Sequence, residues 1–462
     1  MANKSLVTGH GSSRWTRRAF LASSTLAVVA LASCGDESST RQFAGGPQTP
    51  GNEGSPGATG VVGSPGSPTA LPTQMPVSEL LAPRGIALNV PVVQQHRISL
   101  VNISSGAVSE IWADPDRTIW AAAADPTGER IAVLSSPNGE VARWVVDFVA
   151  SDGTALGHVE LGNRKGTPEP KPDAVAAGLG GIAWIADTAS AAVSLPTGGL
   201  QQVYADGSHV RLLSAASAKR PAAVAVTPDA GTIAFVNQPS GSEGSGIYAG
   251  SMKAKPIDPV VVLQPDRSGN RSAHDLAWIP AGRRVATVIE REELGMPQGD
   301  LFYVDTATGR PTLAWTSPAG SETWSVVAFA VSPDGKVVTF LTNPTNPGSR
   351  KPSSVWVMQV DGAALERFEL PIELHQSRLS FSPEGIAVAG SVREESSDDE
   401  LGAVYLISST GQVSSVYEES LPASPVSSPV ASPVASPAAS PVASPVASPV
   451  ASPSPEAATA EE

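Results

Sequence analysis

The residues able to do chemistry in this chain are few and far apart. One cysteine, Cys34, stands among 462 residues, together with six histidines. A single thiol permits no internal disulfide and no multi-cysteine metal site, and such sparing use fits an oxidising exterior. The sequence has no H-E-x-x-H pair, no G-x-S-x-G elbow and no Gly-rich phosphate cradle. The usual written forms of a zinc protease, a serine hydrolase and a nucleotide site are therefore missing. What recurs instead is a set of polar and aromatic residues just ahead of short apolar runs: Trp120, His274, Asp275, Glu322, Trp324, His375 and Arg378. Gathered at one opening, these indoles, imidazoles, carboxylates and guanidinium would hold a polar ligand or a peptide terminus. Under the other reading the tryptophans plug junctions between structural units and the charged groups form a solvated rim.

The elements that would position them follow a repeating pattern: an apolar strand, a turn built on Pro and Gly, then a second apolar strand. It is written as LAPRGIALNV, AADPTGERIAV, VTPDAGTIAFV, WIPAGRRVATV, VSPDGKVVTF and FSPEGIAVAG, centred on Pro83, Pro126, Pro228, Pro280, Pro333 and Pro383. A proline-free copy, WIADTASAAVSL around Ala186, fills the one double-length gap. The resulting spacing of roughly 40 to 60 residues is that of propeller blades. Most copies continue into a second hairpin with glycine at its tip, as in QQVYADGSHV and LFYVDTATGRP, where Asp-Gly and Thr-Gly suit turns that need a positive φ. IYAGSMKAKP is the weakest of these partners, because its glycine comes too early. Four strands per copy and no helix-period stretch predict an all-β, seven-bladed β-propeller over residues 77–421.

If the strands of each blade, a to d, run outward from the axis, the a–b and c–d turns share one pole, and the b–c loops and d–a crossings share the other. The first set is tight throughout. The second carries the insertions QPSGSEGSG (238–246), REELGMPQG (291–299), TNPTNPGSRKPSS (342–354) and REESSDDE (393–400), and the crossing GNRKGTPEPKPDAVAAG (162–178). Long loops on a rigid scaffold are where binding usually resides. The seven candidate residues fall at that same pole. The acidic run Glu394, Glu395, Asp398, Asp399, Glu400 lacks regular calcium-ligand spacing and reads more simply as solvated charge.

The stretch Val331-Ser332-Pro333-Asp334-Gly335, followed by KVVTF and VWVMQVDGA, resembles the WD-repeat-like blades of TolB-like propeller proteins. The resemblance covers nearly three quarters of the chain. It implies the fold rather than a function, since propellers of this kind serve unrelated roles. The family is described as six-bladed, so a count of seven departs from it.

Both ends differ from this middle. RWTRRAFLASSTLAVVALASC opens with Arg17 and Arg18 and continues through about 15 weakly apolar residues, Ala19 to Ser33, short of the ~20 a comfortable transmembrane helix needs. The flank TRRAFLA resembles a twin-arginine export signal, and Leu31-Ala32-Ser33-Cys34 resembles a bacterial lipobox, which implies cleavage before Cys34 and a diacylglyceryl group on its thiol. Two or more acyl chains hold a protein stably on a bilayer, at roughly 0.8 kcal/mol per buried methylene. An ordinary cleaved signal with an incidental cysteine is the alternative. Residues 34–76 are rich in Gly, Pro and Ser and read as a spacer without a core. Residues 422–462 repeat Ala-Ser-Pro-Val and read as a stiff, polyproline-like tail, either a spacer through the cell wall or an inert expansion.

The net charge of −14 and the lack of a basic stripe argue against nucleic acid as a partner. The expected partners are the membrane, through lipidated Cys34, and an envelope protein, peptide or polymer. No cofactor and no metal is expected. The sequence thus reads as a non-catalytic binding lipoprotein on the outer face of a bacterial cell membrane. The alternative is a propeller enzyme or small-ligand sensor, such as a cofactor-bearing oxidoreductase, using the channel mouth.

Overall fold

The computed structural model describes residues 75–138, 143–162, 181–186, 188–195, 199–214, 221–237, 246–264, 271–280, 283–293, 296–318, 323–345, 351–360, 364–393 and 400–420. The export flank, Cys34 and the Ala-Ser-Pro-Val tail lie outside them. A single helical turn, α1 (Val77–Leu80), precedes seven antiparallel sheets. Blade 1 contains β1 (Asn89–Val93), β2 (Arg97–Asn102) and β3 (Val108–Ala113), and blade 2 contains β4 (Arg117–Ala124), β5 (Arg130–Pro137), β6 (Arg143–Ala150) and β7 (Ala155–Gly162). Blade 3 contains β8 (Gly181–Ile185), β9 (Ser190–Ser194), β10 (Leu200–Tyr204) and β11 (His209–Arg211). Blade 4 follows with β12 (Pro221–Val226), β13 (Thr232–Asn237), β14 (Gly246–Ser251) and β15 (Val260–Leu263). Blade 5 is β16 (Arg271–Ile279), β17 (Arg284–Glu293), β18 (Met296–Asp305) and β19 (Pro311–Trp315). Blade 6 is β20 (Trp324–Val331), β21 (Val337–Pro344), β22 (Ser354–Gln359) and β23 (Leu365–Glu369). Blade 7 is β24 (His375–Phe381), β25 (Gly385–Arg393), β26 (Glu400–Ser408) and β27 (Val413–Glu418).

Apolar packing makes the ring. Each junction between consecutive blades holds its own cluster, and the last joins Ala387, Ala389 and Val404 of blade 7 to Val90, Val92 and Val101 of blade 1. The second strands show why the sequence supports this. In β5, Ile131 and Val133 face blade 1, while Ala132 and Leu134 face blade 3. A strand covered on both sides must be apolar at successive positions, and the period-2 alternation of a one-sided sheet is lost. Strand β21 repeats the device, with Val337 and Leu341 toward blade 7 and Val338 and Phe340 toward blade 5. The first strands β4, β8, β12, β16, β20 and β24 approach one another in turn and so surround the axis.

Two expectations are corrected. Blade 1 has three strands, because the first eight residues of LAPRGIALNV, 81–88, form no strand. The segment instead crosses the ends of other blades, as described below. Similarly, REELGMPQG is no long loop: β17 runs to Glu293, β18 starts at Met296, and those residues pair with one another. The double-length gap around Ala186 does hold a blade without a turn proline.

Backbone hydrogen bonds fix the two poles. In five blades the c–d turn donates an amide to the residue just before strand b: Ser151 to Glu129, Ala205 to Ala189, Met252 to Gly231, Thr306 to Arg283 and Val360 to Lys336, at 2.8–3.0 Å. The a–b and c–d turns therefore form one hairpin pole. At the loop pole, b–c connections bond to d–a crossings, as in Asp114 to His96, Asn138 to Asp116 and Thr345 to Thr323.

Candidate functional site

The innermost strands carry a second repeated feature, near the loop pole. Pairing with strand b slips at Ile119/Ala121, Pro221/Val224, His274/Leu276, Val326/Ala328 and His375/Arg378. Each slip is a β-bulge, which leaves a residue outside the ladder and re-aims its side chain. Only β8, among the six innermost strands, pairs without one. Trp120, Asp275, Val327 and Gln376 occupy bulges, and the last three are exposed.

Two of these positions have left-handed backbones. Asp275 has φ 55° and Gln376 has φ 47°, a region that non-glycine residues enter at a cost and that Asp tolerates better than Gln. Both follow a histidine, His274 or His375. Local bonds hold the backbone there. The Thr287 hydroxyl, fully buried, donates to the Asp275 carbonyl at 3.0 Å, and the Ser391 hydroxyl donates to the His375 carbonyl at 3.3 Å. The Gln376 amide donates to both carboxylate oxygens of Glu400, at 3.0 and 3.1 Å.

The seven sequence candidates separate accordingly. Asp275 stands on β16; His375 and Arg378 share β24, half-buried on either side of the bulge. The His375 Nε2 lies 3.8 Å from a Glu373 carboxylate oxygen. His274 lies in β16 with its side chain outside the described residues, as is all of Glu322. The tryptophans are packed between blades. Trp120 donates its Nε1–H to Ser136 at 2.7 Å and meets Trp144 edge-on, while Trp324 is 7% exposed in the blade 5–6 cluster beneath the Arg367 guanidinium. The polar part of the crown thus sits on blades 5 and 7, whereas the inner strands of blades 2 to 4 run IWAAAA, GIAWI and PAAVAV. Among the described residues, no group of three His, Cys, Asp or Glu side chains is placed to hold a metal ion.

Sequence reasoning passed over two clusters. Asp147 interrupts the apolar strand RWVVDFVA, and its carboxylate accepts from Trp112 at 3.1 Å, Arg117 at 2.6 Å and the His158 ring at 2.7 Å. A charge inside an apolar strand was the available signal, since burying one demands partners. Arg367 is sandwiched between Trp324 and Trp356, 4.9 and 5.4 Å from the ring centres. Both clusters tie neighbouring strands together.

No protein-family model matches this chain, and no curated protein does. Among solved structures it is similar to an oligogalacturonate lyase in complex with manganese, at 12% identity and a TM-score of 0.48, over 71% of this chain and 85% of that one. It is also similar to the hydrazine synthase of Kuenenia stuttgartiensis, at 13% identity and a TM-score of 0.48, over 76% and 98%. TolB from Acinetobacter baumannii matches at 14% identity and a TM-score of 0.40, over 75% and 84%. These are likenesses of fold alone.

Proposed function

We propose that this chain is an extracytoplasmic lipoprotein, tethered through Cys34, whose propeller binds an envelope protein, peptide or polymer at the loop pole without catalysing a reaction. The observation carrying the binding site is the pair of left-handed bulges on β16 and β24, which expose Asp275 on blade 5 and Gln376, flanked by His375 and Arg378, on blade 7. Backbone held in a costly conformation, displaying polar side chains on a rigid wall, is how binding sites are kept ready. The anchoring rests on the TRRAFLA flank and on LASC ending at the sole cysteine.

Cell fractionation with Cys34→Ala tests the tether: the variant should leave the membrane fraction, whereas the native chain stays with it. Arg17→Lys with Arg18→Lys should hold the chain inside the cell. Retention of Cys34→Ala on the membrane, with detergent needed for release, would overturn the anchoring.

A further inference from the structure

Where the chain joins the propeller and where it leaves lie at opposite poles. It joins along a strap, residues 75–88, that crosses the hairpin pole over blades 6, 7, 1 and 2. The Met75 amide donates to Gln359 at the end of β22, Arg84 pairs with Asp334 in the a–b turn of blade 6, and Leu80 and Leu81 are buried in the blade 6–7 cluster. Gly85 presses against the a–b turn of blade 7 so closely that a Cβ there would stand 1.7 Å from the Phe381 carbonyl oxygen. Leu88 then bonds to Thr127 in the a–b turn of blade 2 and to Ile103 of blade 1. The propeller's last residue, Glu419, is held at the loop pole. Its carboxylate accepts from Gln94 at 3.0 Å and from the Gly402 amide at 2.9 Å, and it pairs with Arg97.

We infer that the tether meets the propeller at its hairpin pole, which keeps that pole on average nearer the membrane and leaves the loop pole, opposite the attachment, to meet the partner. This rests on the anchoring proposed above. The 42 residues from Cys34 to Met75 reach at most about 140 Å when fully extended. They enter at the strap, on the pole opposite Asp275, Gln376 and Arg378. Tension on the tether reaches β1, an edge strand of blade 1, only after loading the buried leucines and the Arg84–Asp334 pair of the strap.

Lipidation occupies the only native thiol, which leaves an introduced cysteine as the sole labelling site. Full-length lipidated chains carrying Ser409→Cys, in an exposed c–d turn, or Asp116→Cys, in an exposed d–a crossing, would be labelled with a donor fluorophore. They would be reconstituted in phosphatidylcholine vesicles bearing a headgroup acceptor. Energy transfer to the bilayer should be at least twofold greater from Ser409→Cys. Equal or reversed transfer in chains that float with the vesicles would overturn the orientation alone. Chains that do not float would overturn the anchoring and the orientation with it.

Discussion

The two poles of the propeller are built on different rules. At the hairpin pole one solution is repeated: a carboxylate at a turn tip accepts amides from within its own turn, and the c–d turn bonds back to the start of strand b. Asp152, Asp206, Asp229, Asp305 and Asp334 all serve in this way. At the loop pole the described residues share less from blade to blade. Bulges fall in most inner strands, yet the exposed residue is Asp in one, Val in another and Gln in a third. Repetition marks what every blade needs in order to fold. Departure from it frees residues for a role beyond folding, and the candidate site lies there.

The largest expected effect tests whether the strap belongs with the repeated pole as part of the fold. Leu81 is 2% exposed between blades 6 and 7, and the strap it anchors spans the junction where the ring closes. Leu81→Ala should cost about 3 kcal/mol, from lost burial and the cavity left behind. Equilibrium urea unfolding reads this directly. An unchanged midpoint would mean that the clusters close the ring unaided and that the strap only lies upon it.

Acid sharpens the same contrast with a smaller effect. The Thr154 amide, the Ser208 and Thr227 hydroxyls and the Thr308 amide are the leading causes that hold Asp152, Asp206, Asp229 and Asp305 below the ordinary value of 3.8. Burial alone would raise Asp125 and Asp334. Bonds led by Arg130 in the first and Ser332 in the second outweigh it and bring both below that value. A carboxylate lowered on folding stabilises the folded state at pH above its unfolded value, and that contribution is lost as pH falls through the folded one. The melting temperature should hold from neutrality to about pH 5 and fall below about pH 4. Replacing the tip aspartates with Asn should flatten the decline. A decline as steep in the tip variants would place the acid sensitivity elsewhere.

How far the sequence spoke depended on which rule was in force. The apolar run of β5 and the Asp-Gly tips announced the blades, because burial on both faces and positive φ impose recognisable residues. LAPRGIALNV carried the same Pro and Gly and yet forms no hairpin. Its Gly85 is required by close approach to Phe381, a demand that writes the same letter as a turn. In REELGMPQG the Gly and Pro suggested a loop, but strand pairing runs through to Glu293 and Met296. Bulges left least trace of all. A bulge is a relation between two strands, and neither strand records it alone. Asp275 is of a type that suits a left-handed backbone, whereas Gln376 gives no such hint.

The smallest change in stability is expected where the functional effect should be greatest. Asn adopts the left-handed backbone as readily as Asp, and the Thr287 hydroxyl bonds to the carbonyl of residue 275 whatever its side chain. Asp275→Asn should therefore shift unfolding by no more than about 0.5 kcal/mol, as ordinary exposed substitutions do. Binding of the purified propeller to isolated envelope material should weaken tenfold or more, since the substitution removes the charge while leaving the backbone that displays it in place. Reversing charge at the hairpin pole with Glu384→Lys should leave binding intact. If Asp275→Asn binds as the native chain does and Glu384→Lys does not, the division of labour between the poles is inverted, and the repeated face is the one that meets the partner.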